Sequence, residues 1–479
     1  MPPLPHDRRL PPAYLTRRRW LGQGLVSLGS LSCLSGLRLS RGSEPAARFA
    51  GFGRARSVIV VFANGGQSQI DTWDPKPNAP LDVRGEFSSI ATALPGALFC
   101  EHMPQVAQVA DRLTIVRSMS HADLDHGSAV YLALTGCYHA QRSGNPPPSP
   151  NDAPTLGSVL QRVKAASRFA KDAVHLNAPA LLPETPGPGQ DGGLLGRAYD
   201  PLVVGDVADA REALPGLSLQ HGLPLARLNR RLNLMQALDE GSPRHWPADE
   251  AARDVDRAYE QALEMIASPA AREAFDLAAE PAALRDRYGR HRSGQALLLA
   301  RRLVEAGVPY INAIWNHANR GQDRDPLETD LYGWDTHNDI FDALRDRLLP
   351  RFDQSFSALI EDLDQRGLLD DTLVICMGEF GRAPQVAQER RFAGSSPGRK
   401  HWPTVYSIAL AGAGVQRGAV VGASDRLGGE PASERFGPWD VAATIFNALG
   451  ISPSQHYTDI LGRPFPVSLG RPIEAVYRG

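Results

Sequence analysis

The sequence predicts an α/β fold built on a central, mostly parallel sheet flanked by helices. Three observations predict it. Runs such as SVIVVFA (57–63) and LVICM (373–377) are apolar throughout and rich in β-branched residues, the pattern of strands covered on both faces. Segments of helical periodicity separate such runs. Polar, Gly-rich stretches follow the strands directly, where open α/β sheets bind their ligands.

The elements follow in chain order. Residues 16–21 read TRRRWL, the twin-arginine pattern Ser/Thr-Arg-Arg-x-aromatic-Leu, and the weakly apolar LGQGLVSLGSLSCLSGL comes next. Basic block, apolar block and small residues in that order predict an export signal over 1–42, read by the twin-arginine translocon. The apolar stretch is too short and too polar to span a membrane, and the mature chain is expected to have no transmembrane helix. The protein would then work in the periplasm or outside the cell. Residues 43–479 are expected to form a single α/β domain. Its strands are predicted at 57–63, 113–118, 308–314, around LVICM, at 405–412 and at 419–423. Helices are predicted at 155–167, 224–240, 250–287 and 293–306, and from about 338 to 366 with a kink at Pro350. A last one, PWDVAATIFNALG, ends with Gly450 at the position after the C-cap. The stretch 185–300 is expected to be a largely helical insertion.

Charge and cysteines narrow the function classes. The 479 residues carry 51 basic and 53 acidic groups, which leaves no electrostatic footprint for nucleic acid. Seven Arg and one Asp lie up to Arg41, so the body, with 44 basic and 52 acidic residues, is mildly acidic. The four cysteines show no CxxC or Cys/His zinc spacing; Cys376 reads as a core thiol, and a Cys100–Cys137 pair stays open. There is no phosphate-binding Walker loop, GAGVQRG (412–418) lacks the dinucleotide spacing, and GQSQI is not a nucleophile elbow.

Five segments carry chemistry. NGGQSQIDTWDP (64–75) sets Asn64, Ser68, Asp71, Thr72 and Asp74 just past a buried strand, as metal donors or as the caps of a helix. SMSHADLDHGS (118–128) packs His121, Asp123, Asp125 and His126 into six residues, as ligands or as a polar loop leading into a helix. GWDTHND (333–339) offers Asp335 and His337 before a long helix, one carboxylate and one imidazole for the same ion, or an N-cap with a solvated histidine. MGEFGRAP (377–384) leaves Glu379 desolvated at a strand end, to be paired with Arg382 or with a metal. GRKHWP (398–403) puts His401 beside two cations, suited to an anionic ester or to a charged surface loop.

In this order after such a leader, NGGxSQxDTxDPKP, SMxHxDxxHGSAxYxALTG, GWDTH, MGEFGRxP and HWP resemble the family called domain of unknown function 1501, over about residues 55–475. That family is similar to the alkaline phosphatase and sulfatase superfamily. HGSAVYLALTG resembles the sulfatase nucleophile helix, RGLLDDTLVICMGEFG its metal-binding strand, and GPWDVAATIFNALGI its C-terminal helix. The resemblance implies an alkaline phosphatase/sulfatase-like α/β sheet with one or two divalent ions, Zn, Ca, Mg or Mn, at the strand ends. The sequence departs from sulfatases at the site itself. His126 stands in place of the nucleophile and Val130 in place of its Arg, so no formylglycine can form there. Asn64 and Gly65 replace the paired Asp, and Glu379 and Phe380 the strand-end pair. The expected ligands are Asp71, His121, His126, Asp335, His337 and Glu379, with His401 and Arg382 as catalytic contacts. Ser128, Ser68, Thr72 or an activated water stays open as nucleophile. The function so implied is hydrolysis of a phosphate or sulfate ester, its partner an anionic ester such as a sulfated or phosphorylated polymer. The alternative is a non-catalytic binding or assembly protein on a degenerate sulfatase-like scaffold.

Overall fold

Every side chain of strand β1 (Ser57–Phe62) is buried, as its unbroken apolar run requires. In the computed structural model Ile59 and Val61 face one hydrophobic cluster, and Val58, Val60 and Phe62 face another. The sheet is therefore the middle of three layers. The structure describes residues 48–164, 171–182, 184–208, 230, 234, 268–316, 318 and 333–478. The twin-arginine segment, the helix expected at 224–240 and the first part of that expected at 250–287, up to 267, lie outside them, apart from the helical positions 230 and 234.

The other strands of the central sheet are β2 (Thr114–Met119), β3 (Ala173–Leu176), β4 (Leu202–Val204), β5 (Tyr310–Ile314), β6 (Thr372–Met377), β7 (Tyr406–Ala411) and β8 (Ala419–Val421). Their order across the sheet is β8-β2-β7-β6-β1-β5-β3-β4. β1 pairs in parallel with β5 and β6, β3 with β4 and β5, and β8 with β2. Only β7 runs the other way, antiparallel to β2 and β6. That single reversal places the start of β7 at the edge where its neighbours end.

Helices cover both faces. α1 (His126–Thr135), α2 (Leu156–Val163) and α5 (Pro438–Ala448) contribute Val130, Leu134, Leu156, Leu160, Ile445 and Phe446 to one core. α3 (Arg292–Glu305) and α4 (Leu349–Gln365) contribute Leu299, Leu303, Phe356 and Leu359 to the other. A π-helical turn, Leu344–Leu348, precedes Pro350. Proline has no N–H to donate, and one wider turn absorbs the mismatch where a kink was expected.

The region from 185 is not wholly an insertion. Its first part includes β4, the edge of the central sheet, and the helical expectation is met from Pro269–Phe275 onward. Cys100, Cys137 and Cys376 are free thiols. Among the described residues no helix is long and apolar enough to cross a membrane.

One buried group on β3 has a measurable cost. His175 is 1% exposed and its Nε2 has no hydrogen-bond partner. Burial therefore holds its pKa down to about 3. The folded value lies below the unfolded value of about 6.5, so the unfolded chain takes up a proton first. Stability is then complete above pH 6.5 and falls as the pH drops toward 3. Replacing His175 with Leu should spare about 2 kcal/mol of the loss between pH 7 and pH 5. Denaturant midpoints of both proteins at the two pH values measure it; parallel losses would contradict the assignment.

Candidate metal centre

The carboxyl ends of parallel strands meet at one edge of the sheet, and the chemistry-bearing loops leave from there. The segment after β1 turns sharply at Gly65 and Gly66, both with positive φ. A Cβ on Gly66 would stand 2.5 Å from the Phe380 ring, so this turn needs its glycine. The segment after β2 leads into α1, whose first residue is His126. Residues 333–339 come after β5, and Glu379 and Arg382 after β6. His401 arrives from the other direction, because it precedes the antiparallel β7.

Three of these side chains converge on an oxygen of a fourth. Asp335 Oδ1 lies 3.1 Å from His126 Nε2, 3.0 Å from His337 Nε2 and 3.2 Å from His401 Nε2. The Nε2 atoms of His337 and His401 are 2.9 Å apart. His126, Asp335 and His401 offer ligand atoms within 4.8 Å of one another. Each imidazole is held from behind through Nδ1. His126 Nδ1 is 2.5 Å from Glu379 Oε1, His337 Nδ1 is 2.9 Å from Glu389 Oε2, and His401 Nδ1 is 2.6 Å from the carbonyl of Leu124. Rings pack around them: Phe392 stacks on His337 at 3.8 Å, and Phe380 lies against His126 and His401.

Glu379 is wholly buried, and its carboxylate also accepts the Gly65 N–H at 3.0 and 3.2 Å. It therefore backs His126 instead of facing the cluster. Arg382, also wholly buried, donates to the carbonyls of Gly65, Gly66 and Arg399 and to Asp335 Oδ1 at 2.8 Å. Four of its five N–H groups are taken up by the protein and the side chain is wholly buried, so it fixes Asp335 and presents no exposed edge to a substrate. Glu389, which no sequence motif singles out, is paired with Lys400 at 2.8 Å.

Burial disfavours charge at His126, Asp335 and His401, and their neighbours decide where charge stays. At His126 burial works against protonation, but Asp335 and Glu379 outweigh it and lift the pKa to about 9. Burial and then the neighbouring His126 push His401 down to about 3. Burial opposes ionisation of Asp335 too, yet His126 and Arg382 hold it well below the usual carboxylate range.

The remaining expected residues are not brought to the cluster. Asp71 forms a buried ion pair with Arg399, at 2.7 and 3.1 Å, and accepts the Ser68 hydroxyl at 2.6 Å. Its oxygens are committed there, and so is the Ser68 hydroxyl. His121 has both nitrogens occupied: Nδ1 accepts the Asp123 N–H and Nε2 donates to the Glu379 carbonyl at 2.6 Å. Burial keeps it neutral, with a pKa lowered to about 4. It positions the Glu379 backbone and has no lone pair to offer. Ser128 donates to Asp123 at 3.0 Å, and Thr72 to the Ser68 carbonyl at 2.5 Å.

The donor set fits a cation. His126 Nε2 is buried without a hydrogen-bond partner although a carboxylate oxygen stands 3.1 Å away. Convergent nitrogens whose far sides are anchored to carboxylates or a carbonyl are the arrangement that orients metal-ligating histidines. His126, His337, His401 and Asp335 are the residues that would hold the ion.

In fold the chain is similar to several hydrolases of known structure. A phosphonate monoester hydrolase from Silicibacter pomeroyi aligns with a TM-score of 0.38 and 12% identity, over 88% of this chain and 76% of that one. A sulfatase from Pseudoalteromonas sp. gives 0.36 and 14%, over 83% and 68%. An alkaline phosphatase from the Antarctic bacterium TAB5 gives 0.32 and 11%, over 77% and 95%. Likeness of this size carries neither substrate nor mechanism across. No curated protein matches the sequence. The family described as "Protein of unknown function (DUF1501)" matches residues 55–477, nearly the whole of the described body, and the chain belongs to it.

Proposed function

We propose that this protein is an exported, metal-dependent hydrolase of phosphate or sulfate esters. Three imidazole nitrogens meeting at one carboxylate oxygen, with a buried Nε2 left without a hydrogen bond, are the observation that supports it. A divalent ion bound there would polarise an ester oxygen and acidify a water molecule. The protein's own groups do the rest. Glu379, Glu389 and the Leu124 carbonyl fix the orientation of the three rings. Arg382 holds Asp335 from the buried side. Asp335 and His401, 13% and 16% exposed at their side chains, form the edge an ester can approach, and Lys400 beside them, 63% exposed, supplies a positive charge for its anionic group. With Ser68 and Ser128 donating to buried carboxylates, water is the nucleophile in this scheme. Export by the twin-arginine route, which carries folded proteins, suits a site that must be loaded before translocation.

The test is metal analysis of the purified protein together with a panel of aryl phosphate and sulfate esters, with wild type and His126→Ala. Bound divalent ion and turnover that disappears in His126→Ala are expected. A protein free of metal, or hydrolysis indifferent to His126, would overturn the proposal. Bound ion without turnover would leave the second reading, a metal-stabilised binding protein, which the commitment of both serines favours.

A further inference from the structure

The hydrogen bonds behind the three imidazoles say what kind of ion the cluster takes. A carbonyl oxygen only accepts, so His401 Nδ1, 2.6 Å from the Leu124 carbonyl, carries the proton of a neutral ring and Nε2 carries the lone pair. Glu379 is held by the Gly65 N–H and Glu389 by the Lys400 ammonium, so both are acceptors for the N–H groups of His126 and His337. In the neutral rings this leaves the three Nε2 lone pairs aimed inward, and a bound cation takes the place of the proton that His126 otherwise holds there. The His337 and His401 nitrogens stand 2.9 Å apart, closer than two lone pairs tolerate without a proton or cation between or beside them.

The oxygens are arranged the opposite way. Asp335 supplies the carboxylate that faces the cluster, while those of Glu379 and Glu389 are turned to the far sides of His126 and His337. Calcium takes six to eight oxygens, and magnesium keeps an octahedron of oxygens and waters. A site of three imidazoles and one carboxylate suits zinc and its first-row neighbours. We propose that the cluster is a three-nitrogen, one-oxygen centre selective for such imidazole-seeking dications over Ca2+ and Mg2+, with Glu379 and Glu389 as positioning residues that fix the tautomer of their histidines. This rests on the reading that the cluster holds a metal, and not on the reaction assigned to it.

The experiment titrates the full chain, stripped with a chelator, with Zn2+, Co2+, Ca2+ and Mg2+ separately by calorimetry. Strong binding of Zn2+, visible absorption bands with Co2+, and Ca2+ and Mg2+ binding at least about 100-fold weaker are expected. Glu389→Gln, at a partly exposed position, should weaken Zn2+ about 10- to 100-fold without moving the melting temperature of the metal-free protein, and Glu379→Gln should do the same where it folds. Ca2+ or Mg2+ binding as tight as Zn2+ would overturn the selectivity while leaving a metal site in place. No binding by any of the four ions would overturn the metal reading itself. Unchanged Zn2+ affinity in Glu389→Gln would remove its positioning role.

Discussion

Arg399→Ala is expected to lower the stability of the fold by about 3–5 kcal/mol, the usual cost of breaking a buried ion pair from one side. The Arg399 and Asp71 side chains are 0% and 1% exposed. The guanidinium makes two bonds to the carboxylate and also donates to the carbonyls of Val83, Ala383 and Pro384. It thus ties the loop after β1 to the segments before β7. Truncation leaves the buried Asp71 carboxylate without its guanidinium, with the Ser68 hydroxyl as a remaining partner, and leaves three carbonyls short of a donor. Chemical denaturation should show a large fall in midpoint with an unchanged slope. A loss below about 1 kcal/mol would mean that the pair is dispensable. Asp71→Asn separates this role from metal binding: it should destabilise the protein yet leave Zn2+ affinity as it was, since Asp71 faces Arg399 and not the cluster.

That distinction was not legible in the sequence. Asp71 and Asp335 look alike there, each a carboxylate in a polar loop after an apolar strand. What separates them is a partner more than 300 positions away for one, and three imidazoles for the other. His121 and His126 are five residues apart in one loop. The first is consumed by backbone groups, and the second starts a helix with its Nε2 turned to Asp335. Long apolar strands were easy to read because full burial on both faces leaves no other composition for β1, β6 and β7. β3 and β4 escaped notice: one is four residues long with a buried histidine, the other three residues long at the edge of the sheet. The part of His401 depends on the reversed direction of β7, which a run of apolar residues does not encode. Glu389 lies in a long polar stretch, and what marks it is the ring of His337.

Asp335→Asn is expected to abolish ion binding, with a loss of affinity above the roughly 10- to 100-fold typical of an outer partner, and hydrolysis with it. The argument is electrostatic. Asp335 Oδ1 is in contact with the Nε2 atoms of all three histidines and with Arg382 Nη2. The Arg382 guanidinium is wholly buried. Among the described residues its ion-pair partner is Asp335. An uncharged amide in that position leaves a buried guanidinium beside the cluster with its charge uncompensated, so a dication would meet a site that is net positive before it arrives. Asn keeps the size and planarity of Asp, and both hydrophobic cores lie apart from the substitution, so the chain should fold. Circular dichroism and the melting temperature of the stripped protein check that first. Calorimetric titration with Zn2+ then reads the effect, and Arg382→Gln serves as the internal control. If charge is the cause, removing the guanidinium from the Asp335→Asn protein should recover part of the lost affinity. If geometry at the carboxylate is the cause, the double variant should bind no better than the single one.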